Sequence, residues 1–149
     1  AGGYLWQENY PANCRIFASF GKKRDFATVG FGHRKNMRII DSKISIGELK
    51  EMAKQRFGDL IKAVVDIKKE VMVVDGELHS DEEDLLLQNN SKQENLWGIN
   101  IYPGNKSEDW IEFDSMINLR PFSGNLTRSV DNQKTRKKII EIVNKLVEK

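Results

Sequence analysis

Between residue 37 and the end of the chain, apolar positions recur with two different periods, and each change of period marks an element. "SIGELKEMAKQRFG" places Ile46, Leu49, Met52 and Ala53 at helical spacing. Ser45 before them, with Glu48 three residues later, forms a capping box, and Gly58 supplies the C-cap. Leu60–Ile67 and Glu70–Asp75 are β-rich runs around Lys68-Lys69, which predicts a hairpin without the favoured Asn-Gly turn.

The next helix is expected from Ser80 as N-cap, with Glu83 three residues on, Asp81 and Glu82 in the first turn, and Leu85, Leu86 and Leu87 as anchors. "NLWGINIYPGN" reads as a strand with Trp97, Ile99 and Ile101 on one side and Gly98, Asn100 and Tyr102 on the other. "WIEFDSMINLRP" has the clearest period of two. It puts Ile111, Phe113, Ser115, Ile117 and Leu119 on one face, and Glu112, Asp114, Met116, Asn118 and Arg120 on the other. A closing helix is expected over Asn132–Lys149, capped by Asp131, with a stripe of Ile139, Ile140, Val143, Leu146 and Val147. The order helix, two strands, helix, two strands, helix predicts an α+β fold: a mainly antiparallel sheet of about four strands with three helices.

Residues 1–36 break this texture. They hold seven of the 13 aromatics and five of the 11 glycines without periodicity, and six basic against two acidic residues. Residues 37–149 carry a net charge of −2. One domain over 37–149 is therefore expected, preceded by a leader that reads as upstream translated sequence, a cloning remnant or an arm. A basic aromatic arm could hold nucleic acid, and "VGFGHRKN" has part of the glycine-aromatic pattern of an RNA-binding strand. The acidic balance of 37–149 argues against nucleic acid there. The longest aliphatic runs are far shorter than the roughly 20 residues of a membrane helix. Cys14 is the only cysteine, so no internal disulfide or thiolate cluster forms, and a cytoplasmic setting is the expectation.

Chemistry is concentrated in "GELHSDEEDLLL". His79 stands at a helix mouth with Asp81 two positions on, where the carboxylate could orient the ring for acid–base work. A metal is not expected, because a mononuclear site needs about three protein ligands and His33 is the one other imidazole. Arg120 offers a planar fork for carboxylate or phosphate, with Asn118 and Asn125 as neutral hydrogen-bonding groups. Each has a plainer explanation: a helix-mouth histidine, a charged solvent-facing strand, a polar loop.

Four blocks, "GELHSDEEDLLL", "KQENLWGINIYP", "WIEFDSMINLRP" and "GNLTRSV", together resemble a family of small bacterial and archaeal proteins known as a domain of unknown function. The resemblance spans 37–149, with Ser80 where alanine is usual and Leu119 where isoleucine is usual. It implies that His79, Asp81, Asn100, Asn118, Arg120, Pro121 and Asn125 belong to the family pattern, and it brings no activity or cofactor. The expectation is a pocket for a small phosphate- or carboxylate-bearing anion, with His79 and Asp81 as catalytic groups if the chemistry is hydrolytic. Asn100, Asn118, Arg120 and Asn125 are its expected ligand contacts. The alternative is a non-enzymatic protein- or RNA-interaction module whose motif residues serve the fold.

Overall fold

A computed structural model describes residues 36–149; the leader and its expected nucleic-acid arm lie outside the described residues. The elements are β1 (Arg38–Ile40), β2 (Ile44–Ser45), α1 (Ile46–Arg56), β3 (Ile61–Asp66), β4 (Val71–Val74), α2 (His79–Gln88), β5 (Leu96–Ile101), β6 (Ile111–Glu112), α3 (Gln133–Leu146) and β7 (Val147–Glu148). Strands β1-β4-β3-β5-β6 form one sheet, antiparallel at every pairing. A second, two-stranded sheet pairs β2 with β7 in parallel. The α+β class, the three α-helices among the described residues and the mainly antiparallel sheet are as the sequence predicts, with five strands in the main sheet rather than four.

Both faces of the sheet are buried. Ala63, Val65, Met72, Val74, Ile99 and Ile101 point into a large core with Leu49 of α1 and Ile139, Ile142, Val143 and Leu146 of α3. Val64, Val73 and Leu96 point the other way, against Leu86 of α2. This is why Val71-Met72-Val73-Val74 is apolar without alternation: each side of the strand has a core to enter. No helix of the described residues is long and apolar enough to cross a membrane.

The β3–β4 turn needs no Asn-Gly because Asp66 supplies the missing chemistry. Its Oδ1 accepts from the backbone N–H of Lys68 and of Lys69, both at 2.9 Å, while Glu70 takes the left-handed conformation (φ 57°). The capping box at Ser45 forms in part, with Ser45 Oγ accepting from Glu48 N at 3.1 Å.

Three local expectations are corrected. Helix α2 starts at His79, with Leu78 as N-cap and no side-chain cap, so Ser80 lies inside the first turn. Helix α3 is capped by Asn132, whose Oδ1 accepts from Lys134 N and Thr135 N. Asp131 instead accepts from Leu126 N (2.7 Å) and Thr127 Oγ1 within its own loop. The largest correction concerns 110–121. Only Ile111–Glu112 pairs with β5; the chain then leaves the sheet and forms a 3₁₀ turn at Met116–Asn118. From there the side chain of Asn118 takes over the edge of β5.

Candidate functional site

Asn118 is wholly buried and completes the β5 edge that β6 leaves open. Its Oδ1 accepts from Gly98 N (2.8 Å), and its Nδ2 donates to Gly98 O (2.9 Å) and Arg128 O (3.0 Å). One side-chain amide thus stands in for a peptide group of a missing strand partner. The approach is close enough that a Cβ on Gly98 would lie 2.6 Å from Ser115 Cβ, so only glycine fits there.

Arg120 and Asn125 continue the same work. Arg120 donates from Nε to Ile117 O (2.9 Å), from Nη1 to Gln93 O (2.8 Å) and from Nη2 to Leu96 O. Its guanidinium stacks on Trp97, 4.7 Å from the ring centre. Asn125 Nδ2 is shared among the carbonyls of Asn118 (2.7 Å), Thr127 (3.0 Å) and Ser129 (2.7 Å), and its Oδ1 accepts from Asp131 N (2.8 Å). Arg120 and Asn125 also pair through their backbones. Parity places Asn118 and Arg120 on the polar face of a strand with Glu112 and Asp114; the departure from the sheet turns them inward.

These three residues do not meet His79. The cleft that His79 lines has a volume of about 260 Å³. Around it stand Asn100 from β5, Lys62 from β3, Ser80 from α2, and Asp114 and Arg128 from the pinned segment. Leu78, Met116 and Ile117 add an apolar rim. Of the six residues expected from sequence, His79 and Asn100 line the cleft; Asp81, Asn118, Arg120 and Asn125 do not. Lys62, Asp114 and Arg128 were not singled out from sequence. Lys62 sits in an ordinary strand, and Arg128 reaches the cleft only because the saturated loop carries it there.

The state of His79 follows from its contacts. The ring is buried, and Nε2 lies 2.8 Å from Ile99 O. A carbonyl only accepts, so Nε2 carries the proton and Nδ1 is a bare acceptor with no partner among the described residues. Burial lowers its pKa to about 4, the bond to Ile99 O opposing and Lys62 adding to the shift. At neutral pH the imidazole is therefore uncharged.

Asn100 is used by half. Its Nδ2 donates to Glu112 Oε2 (2.8 Å) and Asp114 O (3.3 Å), two groups that only accept, which fixes the amide orientation. Its Oδ1 is buried and has no partner. Asp114 pairs with Arg128 (2.8 Å), both about half exposed. Lys62 forms no ion pair among the described residues and lies 5.6 Å from the centre of the Phe57 ring.

No hydrogen bond joins Asp81 to His79 among the described residues, so Asp81 does not orient the ring. The acid that turns inward is Glu82. It is fully buried, its Oε1 accepts from Gly76 N (2.9 Å), and its Oε2 has no partner. Burial raises its pKa well above the usual carboxylate range. Gly76 is confined to glycine because a Cβ would collide with Glu82 Cγ.

The fold and this geometry define an α+β domain with a small polar cleft at one sheet–helix junction and a separate, saturated polar loop beside it. The chain belongs to the family described as Protein of unknown function (DUF5674), whose model matches residues 38–146. Neither a curated protein nor a solved structure matches the chain.

Proposed function

We propose that the His79 cleft binds a small phosphate- or carboxylate-bearing anion and does not hydrolyse it. The observation that carries this reading is the convergence of Lys62 and Arg128 on a hollow that contains one carboxylate, Asp114. The Lys62 ammonium forms no ion pair among the described residues, and the walls raise its effect by displacing water.

Hydrolysis is disfavoured by magnitude and by geometry. A general base works best with a pKa near the working pH, and about 4 leaves His79 a weak base at pH 7 and no acid at all. A nucleophile must also reach its base. Ser115 Oγ accepts from Ile117 N, and no hydrogen bond joins His79 to Ser80 or Ser115 among the described residues. The neutral ring is suited to accept a hydrogen bond.

Titration calorimetry with inorganic phosphate and with acetate tests the reading. Saturable binding of either, weakened about tenfold or more by Lys62→Ala and by Arg128→Ala, supports it. No binding of either, or binding that ignores both substitutions, overturns it. The rival, a protein- or RNA-interaction module, draws on one specific feature: Met116, Leu119, Phe122 and Leu126 are exposed along the pinned segment.

A further inference from the structure

Resting on the reading of the cleft as an anion site, we infer that its ligand also donates hydrogen bonds: a hydroxylated phosphate or carboxylate, such as a polyol phosphate, in preference to a bare or alkyl anion. Two side chains that line the cleft, His79 and Asn100, each carry an acceptor atom that no protein group among the described residues uses. One is Nδ1 of His79, which is unprotonated in the neutral ring because Nε2 carries the one proton and donates it to Ile99 O. The other is Oδ1 of Asn100, whose amide cannot flip without turning this acceptor toward Glu112 and the Asp114 carbonyl. Asn100 is 9% exposed, so its oxygen lacks the water that would satisfy it on an open surface. The two side chains come from the start of α2 and from β5, and Ile99, which fixes the ring, is the neighbour of Asn100.

A buried acceptor without a donor lowers stability, and a ligand that supplies the donor recovers that loss on binding. An inorganic anion offers Lys62 and Arg128 what they need but gives these two atoms little. An alkyl phosphate suits Leu78, Met116 and Ile117 but leaves both acceptors bare. A hydroxylated chain suits both. Size adds a second limit. At about 260 Å³ the cleft is below the roughly 300–1,000 Å³ of sites for drug-sized ligands, which favours a molecule of sugar-phosphate size over a nucleotide.

The comparison that decides the hydroxyl preference holds the protein constant and varies the ligand; Lys62→Ala enters only to show that binding is at the cleft. Glycerol 3-phosphate and n-propyl phosphate share a carbon chain and differ by two hydroxyls. The full chain is expected to bind glycerol 3-phosphate about tenfold or more tightly than n-propyl phosphate. This runs against hydrophobicity, since the apolar rim alone favours the propyl chain. In ¹⁵N-histidine-labelled protein, the Nδ1 resonance of His79 should shift with glycerol 3-phosphate and stay in place with n-propyl phosphate.

Three outcomes separate the two claims. Equal binding of both phosphates, lost in Lys62→Ala, leaves the anion site standing and overturns the hydroxyl preference. Tighter binding of n-propyl phosphate does the same. Failure of inorganic phosphate, glycerol 3-phosphate and n-propyl phosphate alike to bind overturns both.

Discussion

Two polar regions lie side by side in this molecule and differ in how completely the protein satisfies them. In the segment from Ser115 to Asp131, Asn118, Arg120 and Asn125 direct their side chains at backbone groups, and every hydrogen bond they make is internal. In the cleft, His79 and Asn100 each use one end on the protein, and the other end has no partner among the described residues. The first region behaves like secondary structure made from side chains. The second resembles a binding site. Residue type does not separate them, since an asparagine stands at the centre of each; the count of unused hydrogen-bonding atoms does.

The largest effect that tests this contrast is at Asn118. Asn118→Ala removes three buried hydrogen bonds and strands the N–H and C=O of Gly98 on the inner edge of β5. An unsatisfied buried group costs about 1–3 kcal/mol, so a loss of about 3 kcal/mol or more is expected in urea denaturation. A loss below about 1 kcal/mol would mean that the loop does not complete the sheet and that the saturated region is ordinary surface.

Next in size is the pH dependence. His79 has a folded pKa of about 4 against an ordinary value of 6.5, so between these limits the unfolded chain binds the proton that the folded one refuses. Its contribution is complete above about pH 6.5 and is lost as pH falls through 4, a total of about 3 kcal/mol. Glu82 has the opposite sign: its folded pKa is raised, so stability is greatest below about 4.5 and falls as pH rises. Between about 4.5 and 6.5 the two oppose each other. Glu82→Gln, which retains an oxygen for Gly76 N, should make stability rise with pH across that window. His79→Gln should make it fall. Denaturation midpoints at four or five pH values check the pair, and parallel slopes in both variants would contradict the burial assigned to these groups.

How far the sequence revealed this arrangement depends on the range of the forces involved. Period reads α1, β3, β4, β5 and α3 closely, and capping reads the start of α1, because each is set by neighbours a few residues away. The strand expected over 110–121 shows the limit. Its alternation is real, yet Ser115 Oγ caps Ile117 N and Asn118 reaches Gly98, twenty positions back, and together these outweigh the period of two. Parity then puts Asn118 and Arg120 on the polar face of a strand that does not form, as expected ligand contacts or solvent-facing groups, whereas both turn onto backbone. His79 and Asn100 were visible within the family-like blocks, although their tautomer and amide orientation depend on Ile99, Glu112 and Asp114. Lys62 and Arg128 carried no local signal, since a lysine on a strand and an arginine in a loop are common. The burial of Glu82 was hidden by its plausible place in a helix first turn, and the clue was Gly76 six residues before it.

A smaller effect is expected where backbone meets side chain. Gly98→Ala forces a methyl against Ser115, within 2.6 Å of its Cβ, at a position where Asn118 already holds both backbone groups. Overpacking of this kind costs about 1–3 kcal/mol. Gly98→Ala combined with Ser115→Gly should recover much of the loss, because the colliding Cβ is gone. Additive losses in the double variant would show that Gly98 is needed for its backbone and not for the close approach of the pinned segment.

The smallest stability effect belongs to the cleft cations, and its smallness is the informative point. Lys62 lies over the Phe57 ring and forms no ion pair among the described residues, and Arg128 pairs with Asp114 where both are about half exposed. Interactions of this kind are worth about 0–1 kcal/mol. Arg128→Ala leaves the backbone carbonyl that Asn118 uses in place, so the bond that matters to the fold survives the substitution. Lys62→Ala and Arg128→Ala should therefore shift the urea midpoint by little while weakening phosphate binding about tenfold or more. Asn118→Ala should do the reverse in kind, lowering stability first and binding only as a consequence. If instead Lys62→Ala destabilised the domain as strongly as Asn118→Ala, the cleft and the saturated loop would be a single structural unit, and the distinction between them would fail.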